Sequence, residues 1–359
     1  MKMLDKKGLE KLANCAMCAN MCKHSCPTYL ASGNETLTPQ KIARLILYEE
    51  KGFLEDRRGF SDVVFQTTMC GACMKHCIYD GYDLRLFMQM GRSRVFEEGL
   101  LPAETMKRLE TFKRFGNPHG ERKLIERGMG TVGYFISCSV YKDEQLLRAT
   151  DRVISANGRS IQQFGGADIC CGAPLYYMGD NEGFKAVARK MREEIEKRGL
   201  KRLVVACPNC IKMMKEVYPE AGLGLSVELV HAVEYLAGLL KQRKIAVKKG
   251  TGSATYHDPC ILVNDLGIVA PPRSILRALG YEIREPVYAK VDTHCCGGLP
   301  GARVGFTGLV DKVKSMRTRE LRQTGADVYV SACPTCKAVL SEAGLKDLIE
   351  LVAEHLADE

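Results

Sequence analysis

The sequence predicts an α plus α/β protein, with an all-helical N-terminal ferredoxin-like domain followed by two homologous α/β cysteine-rich lobes. Seventeen cysteines in 359 residues fall into regularly spaced groups. The first hundred residues show helical periodicity and no strand pattern. From Thr131 onward, short β-rich runs alternate with amphipathic helices, and the whole pattern occurs twice.

In residues 1–100, two cysteine motifs flank a helical stretch at 39–51, where Ile42, Leu45 and Ile46 recur at helical spacing. The basic stretch 101–130, with its turn Gly116-Asn117-Pro118-His119-Gly120, reads as a linker. Runs at 132–136, 203–206 and 328–332 then lead into Cys138, Cys207-Pro208-Asn209-Cys210 and Cys333-Pro334-Thr335-Cys336. The cysteines thus fall just past strand ends, where α/β sheets place ligands. Cys138, Cys170-Cys171 and Cys207/Cys210 recur as Cys260, Cys295-Cys296 and Cys333/Cys336, at offsets of 122, 125 and 126 residues. Two lobes, 131–245 and 251–359, related by a pseudo-two-fold axis, are expected.

An apolar share of 46% and a charged share of 26% are those of a globular protein, and no run approaches the ~20 apolar residues of a membrane span. Without a secretion signal, the chain is expected in the cytoplasm, at most peripheral to a membrane through a partner. The net charge of +9 is scattered along helices beside acidic residues, which argues against nucleic acid and suits docking of an acidic redox partner. Fifteen of the 17 cysteines lie in C-x2-C, C-x2-C-x3-C, C-x3-C or Cys-Cys groupings, which points to metal ligation rather than disulfides.

Cys15-x2-Cys18-x3-Cys22-x3-Cys26-Pro27 is close to the bacterial ferredoxin run, whose fourth cysteine crosses to the other cluster. Cys70-x2-Cys73-x3-Cys77 repeats the spacing, but Gly81 stands where Cys26 would be answered. With crosswise sharing, Cys26, Cys70, Cys73 and Cys77 complete a [4Fe–4S] cluster. Cys15, Cys18 and Cys22 then hold a [3Fe–4S] cluster, or a cubane finished by an oxygen ligand such as Asp80 or Asp83. His76 reads as a basic neighbour or as the missing ligand.

The duplicated motif is C-x31-C-C-x35-C-x2-C in the first lobe and C-x34-C-C-x36-C-x2-C in the second. Five thiolates gathered at one point exceed what a single tetrahedral zinc uses. Gly172, Gly297 and Gly298 are expected to let backbone approach a bound cluster. His257 and His294, within three residues of a cluster cysteine, are candidates for proton donation, the former more so.

At these residues the chain resembles the cysteine-rich CCG-domain family of heterodisulfide reductases, glycolate oxidase iron–sulfur subunits and anaerobic glycerol-3-phosphate dehydrogenase subunits. Within it, the resemblance is to the D subunit of heterodisulfide reductases, carried also by Asn117-Pro118-His119-Gly120, His231-Ala232-Val233-Glu234 and His257-Asp258-Pro259-Cys260. The resemblance implies two non-cubane [4Fe–4S] clusters. One would sit on Cys138, Cys170, Cys171, Cys207 and Cys210, the other on Cys260, Cys295, Cys296, Cys333 and Cys336, with a disulfide cleaved between them. It further implies a redox partner subunit: a flavoprotein, a ferredoxin or a membrane cytochrome b. The alternative is an electron-transfer subunit serving a flavin dehydrogenase or an electron-transfer flavoprotein.

Overall fold

A computed structural model describes residues 4–79, 81–158, 160–299 and 301–357. They form helices and two mainly parallel sheets, grouped in two compact units that cut across chain order. The first unit comprises 1–110, 174–181 and 291–317; the second comprises 111–173, 182–290 and 318–359.

Among the described residues, every element before Leu124 is helical. Asp5 caps the helix Lys6–Met17 by accepting the Gly8 amide at 2.7 Å. At the other end, the Ala16 carbonyl accepts from the Arg44 guanidinium at 3.0 and 3.1 Å, satisfying a helix-terminal acceptor between Cys15 and Cys18. Arg44 belongs to the helix Pro39–Glu50, which packs on Lys6–Met17 and buries Ile42 and Ile46, with Leu45 half-buried. The helix Leu84–Glu97, capped by Asp83, carries the fully buried Arg92. Segment 174–181 docks on this helix. The Gln89 amide donates to the Tyr176 carbonyl, Asn181 bonds Ser93 at 3.0 Å, and a Cβ at Gly179 would lie 2.4 Å from the Arg92 carbonyl.

The stretch read as a linker carries a helix, Ala103–Phe115, and the first strand, β1 (Leu124–Arg127). In the second unit, β1 joins β2 (Val132–Ile136), β3 (Gln162–Gly166), β4 (Arg202–Val205) and β5 (Glu228–His231) in the order β1-β3-β2-β4-β5. Only the β1–β3 pairing is antiparallel. The second sheet, β6 (Ser253–His257), β7 (Glu282–Ile283), β8 (Val328–Ser331) and β9 (Lys346–Asp347), runs β7-β6-β8-β9 and is parallel throughout. The β3-β2-β4-β5 block therefore answers β7-β6-β8-β9 strand for strand.

The helices complete the symmetry. Glu144–Ser155 of the first repeat packs on Leu348–His355 of the second, and Ala232–Lys241 packs on Ala270–Ala278, the same two positions with their repeats exchanged. Tyr134, Val204, Leu236, Tyr256, Leu276 and Val330 belong to one continuous apolar core. Two ion pairs cross between the repeats in the same reciprocal way. Lys212, two residues past Cys210, binds Asp265 at 3.0 Å; Lys337, next to Cys336, binds Asp143 and Glu350 at 2.6 Å each. Asp143 and Asp265 each stand five residues after the first cysteine of their motif. Glu350 is 4% exposed, so removing the lysine strands a buried carboxylate. Lys337→Met is therefore expected to lower stability by on the order of 3 kcal/mol, read from urea unfolding.

Candidate metal centres

The strand-to-helix steps that carry the cysteines share one local device. Cys26, Cys207 and Cys333 are each the N-cap of a helix whose first residue is proline. Proline fits there because that position has no intrahelical amide bond to lose, and the cap places sulfur beside free N–H groups at the positive end of the helix. The Cys336 amide points at the Cys333 sulfur at 3.4 Å. At the Cys-Cys-Gly steps, the Gly172 amide points at the Cys170 sulfur at 3.4 Å and the Gly297 amide at the Cys295 sulfur at 3.3 Å. Both glycines have positive φ, +80° and +87°, whereas Gly298 does not. All seventeen cysteines are free thiols.

The first repeat gathers its five thiols into a continuous chain of contacts: Cys138 with Cys170, Cys170 with Cys171, Cys171 with Cys210, and Cys210 with Cys207. Cys170 and burial push the Cys138 thiol well up, while hydrogen bonds from Cys170 and Cys210 pull Cys171 down. Five sulfurs in one continuous chain of contacts fit a multi-iron cluster and exceed the needs of one tetrahedral ion. Tyr218 donates to the Cys171 carbonyl at 3.0 Å and holds the loop from behind.

His119 lies beside Cys138 and works against the rise of its thiol. It is held by the Asn117 carboxamide, whose oxygen accepts the His119 and Gly120 amides at 2.8 and 3.2 Å. The sequence singled out the Asn-Pro-His-Gly word without giving its histidine a role. The other two family words have structural explanations. His231 is an N-cap in a capping box with Glu234, and burial lowers its ring pKa to about 3. Asp258 is fully buried and accepts both arms of Arg273 at 2.8 Å.

In the second repeat, Cys260, Cys333 and Cys336 are buried at the ends of β6 and β8, within the second unit. His257, also fully buried, offers a ring nitrogen within 4.8 Å of the Cys336 sulfur. Cys295, Cys296 and His294 are buried in the first unit. There the Cys295 thiol hydrogen-bonds the Cys70 thiol, which this contact and burial push well up.

Among the N-terminal thiols, Cys26 lies with Cys70 and Cys73, whereas Cys77 departs from the set expected to complete that cluster. Burial, then Cys22, Cys77 and Cys18, push Cys15 up to about 12; burial, then Cys18, Cys77 and the adjoining Cys26, push Cys22 to about 11. Cys77 thus stands with Cys15, Cys18 and Cys22. Cys26, Cys70 and Cys73 line a separate cavity with Thr28, Thr67 and Thr68. Asp83 spends its carboxylate on the Arg85 side chain, at 2.9 and 3.0 Å, besides capping its helix. Asp80 lies outside the described residues. His76 pairs with Asp292 at 3.4 Å and meets the His24 ring edge-on. Gly81 accepts a hydrogen bond from Lys11 at 3.1 Å.

The cysteine-rich domain family matches residues 132–215 and 254–341, and the 4Fe-4S dicluster domain family matches residues 11–80. The chain is 29% identical to the D subunit of the dihydromethanophenazine:CoB--CoM heterodisulfide reductase of Methanosarcina acetivorans, over 99% of this chain and 96% of that protein. It is 27% identical to the EtfAB:quinone oxidoreductase of Syntrophomonas wolfei subsp. wolfei, over 87% of this chain and 48% of that protein. It is 25% identical to the B subunit of the fumarate reductase (CoM/CoB) of Methanothermobacter marburgensis, over 96% of this chain and 70% of that protein. Among the described residues no helix is long and apolar enough to cross a membrane.

The thiol chain of the first repeat depends on Gly172. A Cβ there would meet Phe184 at 2.9 Å and would have to sit at positive φ. Gly172→Ala is expected to destabilise the protein by about 2 kcal/mol in urea titration.

Proposed function

We propose, for a chain that belongs to the cysteine-rich-domain iron–sulfur oxidoreductases and resembles the heterodisulfide reductase D subunit, that it carries electrons from a partner protein to its duplicated cysteine sites and there reduces a disulfide. Cys138, Cys170, Cys171, Cys207 and Cys210 would hold one non-cubane [4Fe–4S] cluster. Cys260, Cys295, Cys296, Cys333 and Cys336 would hold the other. Bound there, such clusters supply one-electron storage and iron with affinity for sulfur.

One observation carries the route: the Cys70 thiol lies against that of Cys295. A ligand of the N-terminal relay thereby touches a ligand of the second cysteine-rich site, giving electrons a short passage. The relay's other end suits entry. Cys15, Cys18, Cys22 and Cys77 are part-exposed among the exposed apolar side chains Met17, Met21 and Ile78. A flavoprotein, a ferredoxin or a membrane cytochrome b would deliver electrons there.

Reduction of R–S–S–R′ breaks one sulfur–sulfur bond and takes two electrons and two protons to give RSH and R′SH. The electrons come from the partner. His257, its ring beside Cys336, would hold one of the protons for a leaving thiolate. The likeness to an EtfAB:quinone oxidoreductase supports a second reading, in which the chain only passes electrons onward to a quinone-linked partner.

Anaerobically reconstituted protein is expected to hold more than about eight irons per chain, since the relay accounts for at most that number. Iron and acid-labile sulfide analysis decides it. With a reduced dye as donor, Cys171→Ser and Cys296→Ser are expected to abolish disulfide reduction while leaving the relay's paramagnetic resonance signals in place. A parent protein that oxidises dye but never turns over a disulfide favours the onward-transfer reading.

A further inference from the structure

We propose that Cys26, Cys70 and Cys73 would hold a three-iron [3Fe–4S] centre, with Thr67 standing on the same cavity where a fourth cysteine would be needed for a cubane. The inference rests on the iron–sulfur reading above and assigns the nuclearity of one relay centre.

One cavity sets three of the seven N-terminal thiols apart from the other four. Cys77 stands with Cys15, Cys18 and Cys22, which completes a four-cysteine cubane. The remaining three, Cys26, Cys70 and Cys73, share one cavity. This division also changes the register in which the second motif answers the first. Once Cys77 is the cysteine that crosses to the other cluster, it answers Cys26, and the three residues before each are spacer. Cys73 then answers Cys22, Cys70 answers Cys18, and the x2 spacing before Cys70 lands on Thr67 where Cys15 would be answered. Read this way, Thr67 and not Gly81 occupies the missing-ligand position.

Thr67 is in place for that role and unsuited to replace a thiolate. It is buried, and it lines the same cavity as the three cysteines. Its hydroxyl donates to the Val64 carbonyl at 3.0 Å and accepts from the Arg92 guanidinium at 3.1 Å. A neutral hydroxyl whose proton is committed to a carbonyl, with a cation on its lone pair, is a poor ligand for iron in a sulfide cluster, which prefers soft anionic sulfur. Thr28, on the same cavity, sits 3.2 Å from the Cys26 sulfur, as a hydrogen-bonding neighbour of a ligand already counted. Cys295 touches Cys70, but its sulfur is also cradled by the Gly297 amide of its own Cys-Cys-Gly turn. It is assigned to the second cysteine-rich site.

The test is electron paramagnetic resonance and Mössbauer spectroscopy on holoprotein purified and reconstituted without oxygen, then oxidised with a mild oxidant. A three-iron signal at about one spin per chain is expected. Thr67→Cys should convert it to a four-iron centre, visible on reduction, and Gly81→Cys should leave it unchanged. If Thr67→Cys does not fold, the parent and Gly81→Cys spectra still decide. Full iron loading with no three-iron signal in the parent overturns this inference and leaves the functional reading intact. So does conversion by Gly81→Cys, or a three-iron signal that appears only in Cys295→Ser, which would make Cys295 the fourth ligand. A protein that binds no iron at all overturns the functional reading, and this inference with it.

Discussion

The fully buried guanidinium of Arg92 organises the first unit. Arg92 donates to the Val64 and Thr67 carbonyls at 3.0 and 2.9 Å and to the Tyr177 carbonyl at 3.0 Å, and its plane lies over the Phe65 ring. Burial lowers its pKa to about 10, because the site replaces water around the charge poorly. Carbonyl dipoles on several sides offset that penalty, and they come from separate stretches of chain. Val64 and Thr67 lead into Cys70. Tyr177 lies near the end of the short helix that follows the first Cys-Cys-Gly. Gly301, after the second Cys-Cys-Gly, packs so closely on the guanidinium that a Cβ would lie 2.9 Å from it. One charge thus ties the approach to the relay to the segments leaving both cysteine pairs, and this explains why compact units cut across chain order.

The second unit is governed by symmetry. Duplicated lobes could pack in many ways, but here equivalent helices exchange partners, and a lysine just past each Cys-Pro-x-Cys turn reaches across to the equivalent aspartate of the other repeat. Lys212 and Lys337 each follow a Cys-Pro-x-Cys turn, and their aspartates sit just past the first cysteine of the opposite repeat. Each site's scaffold is therefore fastened to the other's. Movement of one Cys-Pro helix must pull on the loop carrying Cys138 or Cys260, so the two sites share mechanical constraints as well as ancestry.

Much of this was legible in the residues because it is local. Cys-Pro at a strand end specifies an N-cap, and Gly after Cys-Cys specifies positive φ; both depend on a few neighbouring atoms. The strand-to-cysteine order of both repeats could be read from β-rich runs. What escaped depends on contacts between distant segments. The partnership of Cys77 with Cys15 rather than Cys70 is set by how the helices carrying the two motifs pack, and spacing counted forward from Cys70 gives a different register from spacing counted back from Cys77. His119 became visible only when Asn117 turned it toward Cys138. The stretch 101–130 seemed a linker because β1 pairs antiparallel at the sheet edge, where mostly exposed residues break the alternation that marks a strand.

The repeat is symmetric in its cysteines but not in what reaches them. Cys295 touches Cys70, whereas Cys170, its counterpart, lies in the second unit in a chain of thiols drawn wholly from its own repeat, with His119 at one end. The second repeat in turn has His257 beside Cys336, where the first has Phe135 three residues before Cys138 and no histidine. Two sites of like ligand set but unlike surroundings should differ in potential, because charge, hydrogen bonds and solvent exposure around the sulfurs set it. Under the proposed disulfide reduction, a two-electron bond cleavage fed one electron at a time would benefit from that inequality.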